Sequence, residues 1–303
     1  MMGIRTLWRA AILGLIVLAL SPAQAGEVKL EHDGLTLNAE LELAPGSELA
    51  DGVILMTHGT LAHARMGIMR GLQNVFKEYG YNTLAINLGL GIDDRHGMYD
   101  CQQTHTHRHT DALDEIGVWL DWLREQGAGP ITLLGHSRGG NQTAWYAVER
   151  DMSDVNAVVL IAPALWSEAY ARKEYKERYG VELQPLLDRA RGLAEAGKSD
   201  ALMEGVDFVY CEDTTVSAGA FLSYYEPDPR RDTAHLVPKI EAPVLVIAGT
   251  ADTVVPGVEE VMAPLAEADD VSLAVIDGAD HMFRDLYWYD IADAVEGFLS
   301  GQE

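Results

Sequence analysis

Basic residues are scarce in this chain of 303 residues. It carries 22 lysines and arginines against 47 aspartates and glutamates, a formal net charge of −25, and only six of the basic residues are lysine. A surface of this sign repels the phosphates of nucleic acids and the headgroups of anionic membranes. The composition therefore excludes nucleic acid and anionic membrane surfaces as expected partners.

The sequence also lacks an apolar run of the roughly 20 residues that a membrane-spanning helix needs. The N-terminal apolar run, residues 10–20, has eleven; two arginines precede it, and Ala23-Gln24-Ala25 follows it. This small-x-small pattern is typical of a signal peptidase site. We therefore predict that residues 1–25 are a signal peptide and that the mature protein, residues 26–303, is periplasmic or secreted without stable membrane insertion. An uncleaved N-terminal anchor is the alternative.

Cysteine is rare, and the common metal-binding motifs are absent. Neither C-x-x-C nor H-E-x-x-H occurs, and structural zinc sites usually need four ligands of these types. The densest group of candidate ligands is "CQQTHTHRHTD", residues 101–111, which we call the histidine-rich loop. We predict no metal and no cofactor, with a metal site on this loop as the alternative.

Internal repeats and low-complexity segments are lacking as well. Short apolar runs alternate with amphipathic stretches, the pattern of a mostly parallel central sheet flanked by helices. After an N-terminal hairpin around Asp33-Gly34, strands are predicted at residues 53–57, 82–88, 131–134, 157–161, 244–248 and 272–276. Helices are predicted at residues 66–79, 111–126, 139–150 and 286–299. The predicted fold class is therefore α/β, in one domain.

The alternation of strands and helices stops at about residues 163–238. This segment is charged, rich in tyrosine and mainly helical in pattern, as in "EAYARKEYKERYG". We predict a mainly helical cap inserted into the domain, rather than a separate domain. The cap's aromatic residues would line an apolar pocket or form the cap's own core; they include Trp166, Phe221, Tyr224 and Tyr225.

The strongest functional signal is "LLGHSRGG", in which residues 135–139 fit the pattern G-x-S-x-G. The motif follows a predicted strand and precedes a predicted helix, the context in which a nucleophilic serine stands on a strained turn. Side chains at positions 135 and 139 would clash with the neighbouring helix and strand. This context favours a nucleophilic Ser137 over a tight turn that uses small residues by chance.

Together with three other motifs, this stretch resembles the α/β-hydrolase superfamily. The resemblance covers the chain from about residue 28 to residue 299 and rests on "THGT" (57–60), "GHSRGG" (135–140), "GTADTVVP" (249–256) and "GADHMF" (278–283). It implies an α/β-hydrolase fold with a cap insertion and a serine, aspartate and histidine in this order along the chain. It also implies that no cofactor is needed.

A serine hydroxyl needs a base that takes its proton, and the base needs a carboxylate that orients it. The resemblance assigns these roles to His281, in a short loop before the last helix, and to Asp252, which follows the strand at residues 244–248. The superfamily's other position for the acid is occupied here by Ala162-Pro163, which favours Asp252. A packing histidine and a turn aspartate are the alternatives.

The oxygen that becomes negative on the substrate needs backbone N–H donors. The resemblance indicates the amide of Arg138, the residue after the nucleophile, and the amide of Thr60 after the His58-Gly59 turn, with Leu61 as the alternative. The Arg138 side chain has two interpretations. It contacts an anionic group of the substrate, or it pairs with a carboxylate of the protein, which we favour.

In this fold the active site lies at the carboxyl ends of the strands. The histidine-rich loop follows such a strand, so we expect it at the rim of the pocket, binding substrate or bracing the site through His105, His107 and His109. Cys211 lies in the cap on the same side, and export permits oxidation. We therefore predict a disulfide between Cys101 and Cys211, which would remove Cys101 as a metal ligand.

The sequence thus predicts an exported serine hydrolase that cleaves an ester or related acyl bond of a small molecule through an acyl-enzyme intermediate. A peptidase, thioesterase or acyltransferase with the same triad is the alternative among enzymes. The alternative from another class is a catalytically silent binding protein on this fold. An intact triad disfavours that alternative, because a binding protein gains nothing from keeping it.

Overall fold

The computed structural model describes residues 25–301, so the predicted signal peptide lies outside the described residues except for its last position. The strands are β1 Gly26–His32, β2 Leu35–Glu42, β3 Val53–Thr57, β4 Thr83–Asn87, β5 Ile131–His136, β6 Val155–Ile161, β7 Leu202–Phe208, β8 Cys211–Ser217, β9 Val244–Gly249 and β10 Val271–Ile276. Every strand predicted for the sheet is present, with ends within two residues of the prediction.

One sheet of eight strands runs through the domain in the order β1-β2-β4-β3-β5-β6-β9-β10. The first hairpin, β1 and β2, is antiparallel, and β2 also pairs antiparallel with β4. From β4 to β10 every neighbouring pair is parallel. The predicted mostly parallel sheet is confirmed, and its parallel part brings the carboxyl ends of six strands to one edge.

Helices cover both faces of this sheet. They are α1 Gly67–Glu78, α2 Asp111–Glu125, α3 Arg138–Glu149, α4 Glu168–Tyr179, α5 Leu183–Glu195, α6 Ala218–Tyr225, α7 Thr233–Leu236, α8 Val258–Met262 and α9 Tyr287–Ser300. The apolar stripes of α1 and α9 pack on one face, and those of α2 and α3 pack on the other. Within residues 25–301, no helix is long and apolar enough to cross a membrane.

Strand β3 shows why the central strands read as continuous apolar runs. Val53 and Leu55 belong to the core on one face, whereas Ile54 and Met56 belong to the core on the other. A strand of a parallel sheet is covered by helices on both faces, so both sets of side chains leave water. This double burial holds the strand ends rigidly in place, and the functional side chains stand at those ends.

The cap is inserted between β6 and β9. It contains helices α4 to α7 and an antiparallel hairpin of β7 and β8 that the helical pattern of the sequence did not indicate. Phe221 and Tyr225 pack against each other and against Phe208 of β7, and Tyr225 also contacts Tyr175 of α4. These two aromatic residues therefore form the cap's own core, the second of the two interpretations given for them.

Candidate active site

Ser137 stands on the sharp turn between β5 and α3. Its backbone has φ 57° and ψ −123°, a positive φ that costs energy for a residue with a side chain. The turn is held by two backbone hydrogen bonds: the N–H of Ser137 donates to the carbonyl of Ile161 over 2.9 Å, and its carbonyl accepts from Ala164 over 2.9 Å. The end of β6 therefore fixes the strained conformation that the motif predicted.

Two glycines of the motif make the close packing of this turn possible. A Cβ at Gly135 would lie 2.4 Å from the carbonyl oxygen of Gly139. A Cβ at Gly139 would lie 2.3 Å from the carbonyl oxygen of His58 and 2.6 Å from that of Thr57. These contacts are with backbone atoms, which cannot rotate away, so the elbow needs glycine at both positions.

Replacing Gly139 with alanine is expected to destabilise the fold by about 1–3 kcal/mol or more, because the added methyl overlaps the end of β3. It should also lower activity by shifting the elbow. Gly192→Ala in α5 is the matched control: nothing lies within 4 Å of its Cβ position, so alanine should stabilise that helix slightly. Urea denaturation of both variants measures the difference, and equal stability would contradict the packing argument.

The side chains of Ser137, His281 and Asp252 form one chain of hydrogen bonds. The hydroxyl oxygen of Ser137 lies 2.9 Å from Nε2 of His281, and Nδ1 of His281 lies 2.7 Å from Oδ2 of Asp252. Ser137 and His281 each expose about 8% of their surface, and Asp252 exposes 9%. The structure thus brings together the three residues predicted from the motifs. His281 is 144 positions from Ser137 and 29 positions from Asp252 along the chain.

Asp252 is prepared to act as the anionic member of this chain. Burial opposes its ionisation, but the hydrogen bond from His281 and the N–H groups of Val254 and Val255 outweigh burial, and the pKa of Asp252 lies below its ordinary value. Its Oδ1 accepts from those two amides over 2.8 and 2.9 Å. An ionised carboxylate only accepts hydrogen bonds, so Nδ1 of His281 carries the proton and Nε2 is free to accept from the serine hydroxyl.

The turn after β3 lies directly against Ser137. A Cβ at Gly59 would be 3.1 Å from Cβ of Ser137. Within residues 25–301, the backbone N–H groups of Thr60 and Leu61 donate to no other protein group, and the N–H of Arg138, as the first residue of α3, has no partner inside its helix. Both predicted oxyanion donors, and the alternative Leu61, are therefore available beside Ser137.

A buried arginine braces this turn from behind. Arg95 exposes 4% of its surface and donates to the carbonyls of Leu88, Ala62 and Gly97 over 2.7 to 2.9 Å. It also lies 3.2 Å from Nε2 of His58, whose Nδ1 donates to the carbonyl of Gly59 over 2.8 Å. Burial lowers the pKa of His58 to about 3, so its ring is neutral and serves as a structural link. The sequence offered no signal for Arg95, because its partners are carbonyls.

Glu115 of α2 is a buried carboxyl near this arginine, and it makes stability depend on pH. Burial raises its pKa to about 8 from 4.5, against the lowering effect of the Gly89 N–H, which donates over 2.8 Å. Because the folded pKa is the higher one, folding takes up a proton between those values. The cost of burying Glu115 therefore grows as pH rises through that window, by at most about 1.4 kcal/mol per pH unit.

Glu115→Gln is accordingly expected to stabilise the protein at pH 8 and above, with a gain that shrinks towards pH 5. The glutamine carbonyl can still accept from Gly89. Glu125→Gln, on the exposed side of the same helix, controls for the removal of a carboxylate. Denaturation midpoints at pH 5, 7 and 9 measure the effect, and a pH-independent difference between Glu115→Gln and the parent would contradict the assignment.

His136, the variable residue before Ser137, has a positioning role that the motif did not reveal. Its Nε2 donates to the carbonyl of His281 over 2.9 Å, and the two rings lie 4.8 Å apart. Burial lowers the pKa of His136 to about 3, so the ring is neutral. It ties the loop that carries His281 to the elbow that carries Ser137.

The three histidines of the histidine-rich loop are buried beneath the cap and do not lie at the rim as expected, whereas residues 101–104 of the loop are exposed. His105, His107 and His109 expose 1% of their surface or less. The N–H of His105 donates to Thr215, and its carbonyl accepts from Ser217, so the loop forms a bridge with β8. The cap, which is formed by residues about 110 positions later, covers the histidine side chains of this loop, and the local sequence does not indicate that burial.

The three rings contact other groups of the protein. Nδ1 of His107 lies 2.9 Å from the hydroxyl of Tyr224, and Nε2 of His109 donates to Oδ1 of Asn141 over 3.0 Å. Nδ1 of His105 lies 3.3 Å from His107. Burial lowers the pKa of all three, to about 4 for His105 and about 3 for His107, so they are neutral. Their role here is to brace the loop against the cap and α3.

Cys101 and Cys211 are joined by a disulfide that closes a separation of 110 residues. Next to it, the hydroxyl of Thr214 donates to the carbonyl of Cys101 over 2.9 Å. The bond leaves no thiolate on the loop for a metal. In the described part of the chain, the group with metal-ligand spacing is Glu27, Asp94 and His96, and the ammonium of Lys29 already pairs with Asp94 there.

The Arg138 side chain pairs with no carboxylate in the described part of the chain, contrary to the interpretation favoured from sequence. Its Nε donates to Oγ1 of Thr60 over 2.9 Å, and its guanidinium lies 5.1 Å from the centre of the Tyr224 ring. One terminal nitrogen lies 3.5 Å from Nδ1 of His109. A half-buried cation therefore stands next to Ser137, with neutral groups around it.

A cavity of about 330 Å³ opens beside the loop that carries Asp252. Its wall begins at Leu165, one residue after the Ala164 amide that donates to Ser137, and includes Val254 and Val255, whose amides bind Asp252. The remaining lining residues are Trp166, Ser167, Tyr170, Asp232, Pro256 and Val261. Of the four cap aromatics considered from sequence, Trp166 lines this cavity.

The fold and the arrangement of these motifs define an α/β-hydrolase, as the motifs predicted. The family model described as serine aminopeptidase, S33, matches residues 48–284, and the chain belongs to this family of hydrolases. No curated protein sequence matches the chain.

Solved structures share the fold at low sequence identity. Est1E from Butyrivibrio proteoclasticus superposes with a TM-score of 0.66 at 19% identity, over 92% of this chain and 99% of that one. A monoacylglycerol lipase from Paleococcus ferrophilus gives a TM-score of 0.58 at 20% identity, over 88% and 99%. At these identities the similarity establishes the shared fold.

Proposed function

We propose that the protein is an exported serine hydrolase that cleaves an ester of a small molecule. The observation that carries the proposal is the unbroken hydrogen-bond chain from Asp252 through His281 to Ser137, with the serine on a strained strand-to-helix turn. Such a turn costs energy, and it persists where the exposed hydroxyl has a use. The family supports the hydrolase class, and the geometry supports the serine as its nucleophile.

The proposed reaction follows from which atoms hold protons. Ser137 gives its proton to Nε2 of His281 as its oxygen attacks the carbonyl carbon, and Asp252 stabilises the imidazolium that forms. The amides of Arg138 and of Thr60 or Leu61 hold the resulting oxyanion. His281 then protonates the leaving alcohol, which leaves an acyl-serine. A water molecule repeats the sequence on the acyl carbon and releases the acid.

The cavity beside the triad supports an ester with an apolar part. Its wall is mostly apolar, and Trp166, Tyr170 and Val254 form much of it. One fold relative has been solved with ferulic acid bound, and another is a monoacylglycerol lipase by its title. For this chain we propose only the chemical class of the substrate: an ester in which one half is a hydrocarbon or an aromatic group.

An aminopeptidase is the second candidate. The matching family carries that activity in its description. The half-buried Asp232 lies in the cavity wall and offers an anion for the α-ammonium group of a peptide. Its carboxyl also accepts a weak hydrogen bond from the N–H of Trp166. Against this, Arg138 places a cation next to Ser137, and a cation repels an ammonium group.

A substrate panel separates these candidates. We expect p-nitrophenyl esters of C4 to C10 acids to be hydrolysed with a kcat/KM well above that of aminoacyl p-nitroanilides, and with one preferred chain length. Preferred cleavage of the anilides would instead establish the aminopeptidase, and preferred cleavage of acyl thioesters the thioesterase. Acyl transfer to an added alcohol in place of water would indicate an acyltransferase. Binding of a panel compound without its cleavage would indicate a catalytically silent binding protein.

Export has its own test. We expect the protein expressed in a Gram-negative host to be recovered from the periplasmic or secreted fraction with Gly26 as its first residue. Mass spectrometry of the intact protein measures this. Recovery of the uncleaved chain with the membrane fraction would favour the N-terminal anchor instead.

A further inference from the structure

Two arginines, Arg138 next to Ser137 and Arg231 just before α7, form no ion pair within residues 25–301, although acids outnumber bases by more than two to one in this chain. Arg138 contacts the neutral groups of Thr60, His109 and Tyr224. Most arginines elsewhere in the described chain are paired with acids, as Arg124, Arg150 and Arg230 are. A cation left without a counter-charge next to a nucleophile calls for an anion from outside the protein.

The second arginine supplies an independent observation. Arg231, just before α7, exposes 6% of its surface, and its Nε and one terminal nitrogen have no hydrogen-bond partner. Its remaining terminal nitrogen donates to the carbonyl of Leu222 over 3.0 Å. An unpartnered buried guanidinium is costly, so two donors without acceptors point to a group that is missing from the protein itself.

Hydrogen bonds place both arginines around one ring. A terminal nitrogen of Arg138 lies 3.5 Å from Nδ1 of His109. Nε2 of His109 donates to Oδ1 of Asn141, whose Nδ2 donates over 3.0 Å to the carbonyl of Arg230, the residue before Arg231. The pKa of His109 lies well below its usual value, first because of burial and then because of the charges of Arg138 and Arg231. Burial also lowers the pKa of Arg231, to about 10, which leaves it cationic at neutral pH. The two charges therefore lie close together at the junction of α3 with the cap.

The two carboxylates whose charges raise the pKa of Arg231, those of Asp228 and Glu226, are each bound by another arginine. Asp228 is bound by Arg230, which donates to both of its oxygens over 2.7 to 3.2 Å. Glu226 is bound by Arg191 over 2.8 and 2.9 Å. Asp232 lies in the wall of the apolar cavity. The cationic site and the cavity thus present two different environments around one nucleophile.

We propose that the substrate is an ester with an apolar half and a carboxylate-bearing half, and that Arg138 and Arg231 bind the carboxylate. The inference rests on the proposed function and adds the substrate class. The apolar half occupies the cavity beside Asp252, and the anionic half extends towards His109 and Tyr224. Guanidinium groups suit a carboxylate because their N–H donors match its two oxygens.

Matched pairs of esters test this. In one pair the acyl half is anionic or neutral: p-nitrophenyl hemisuccinate against p-nitrophenyl 4-methylpentanoate, whose isopropyl end has the shape of a carboxylate. In the other the alcohol half varies: 4-carboxyphenyl butanoate against 4-isopropylphenyl butanoate. The measured quantity is the ratio of kcat/KM, anionic over neutral, in each protein. Intrinsic reactivities cancel when the ratio is compared between variants.

For at least one pair we expect Arg138→Met and Arg231→Met each to lower this ratio by about 10- to 100-fold, the range of a hydrogen bond to a charged group. Arg138→Lys should retain part of the preference. Arg150→Gln is the matched control, since this arginine lies at the far end of α3, is exposed and pairs with Asp114, and it should leave the ratio unchanged. Melting curves show whether each variant is folded.

Failure of this inference and failure of the proposed function give different results. If both proteins hydrolyse the esters, and the ratio of kcat/KM for the anionic over the neutral ester is the same in the parent and in folded Arg138→Met, the carboxylate site is rejected. The assignment as a hydrolase then still stands. Absence of all turnover, with no reaction of Ser137 with a fluorophosphonate, rejects the hydrolase. In that case calorimetric titration with succinate decides on the site: binding weakened at least tenfold in Arg138→Met supports it, and equal or no binding in both proteins rejects it.

Discussion

Replacing Ser137 with alanine is expected to lower kcat for ester hydrolysis by about 10⁶-fold and to abolish fluorophosphonate labelling, because the attacking oxygen is lost. Alanine adopts the elbow conformation no worse than serine does, so the fold should persist. His281→Ala should cost about as much, since the hydroxyl then has no base. Initial rates and melting curves of the purified variants measure both effects.

Asp252→Asn should cost less, about 10⁴-fold, although the fold survives. An amide nitrogen cannot accept from Nδ1 of His281, so the ring loses the tautomer that leaves Nε2 free for the serine. An alanine variant at Ser137 that kept more than a trace of the parent activity would contradict the assignment, as would an Asp252→Asn variant with full activity. Asp285→Asn, near His281 in sequence but outside the hydrogen-bond chain, is the control.

Removal of the disulfide carries the largest expected effect on stability. The Cys101→Ser, Cys211→Ser double variant should be less stable than the oxidised protein by about 4–5 kcal/mol, the chain-entropy value for a loop of this size. That corresponds to a fall in Tm of roughly 10 °C or more. Added reductant should lower the Tm of the parent and leave that of the double variant unchanged.

The same bond is expected to hold the histidine-rich loop against the cap locally. In the double variant, hydrogen exchange should accelerate first in residues 101–110 and 211–217, which are joined by the bridge between His105 and β8. If hydrogen exchange in these segments is equally fast in the parent and in the double variant, or if the Tm is unchanged, the other contacts of the loop suffice to hold it against the cap. The effect on kcat should be smaller than for the triad variants, because the disulfide lies outside the reacting groups.

The sheet and the elbow were predictable because their signals are local. A strand buried on both faces requires a short apolar run, and the elbow requires glycine at positions 135 and 139. The resemblance to the superfamily indicated His281 and Asp252, because both lie in short loops directly after strands and follow Ser137 in the family's order. Each of these features depends on a few adjacent residues, which is why sequence reasoning reached them.

The hairpin in the cap was not predicted because its turn lacks the residues that are typical of turns, such as glycine and asparagine. It turns at Val209 and Tyr210, and Val209 adopts a positive φ of 58° without being glycine or asparagine. Gly205 interrupts the first strand and breaks its alternation. A turn of this kind is fixed by packing of the flanking residues, such as the buried Phe208, and packing is not visible in a local pattern.

The partners of the histidines and of Arg138 could not be predicted from the sequence, for a related reason. His107 meets Tyr224 from 117 positions away, and His109 meets Asn141 from 32. For Arg138, the abundance of acids made an ion pair the natural expectation, yet the folded chain surrounds it with a hydroxyl, an imidazole and a phenol ring. Which polar residues meet at the core–cap junction depends on how the cap folds over.

The most direct test of the central claim is the site of covalent modification by a fluorophosphonate. The purified protein is reacted, digested and analysed by mass spectrometry, with Ser137→Ala treated in parallel. We expect a single adduct on the peptide that contains Ser137, and none in the alanine variant. An adduct on another residue, or a folded parent protein that does not react at all, would contradict the claim that Ser137 is the nucleophile of a serine hydrolase.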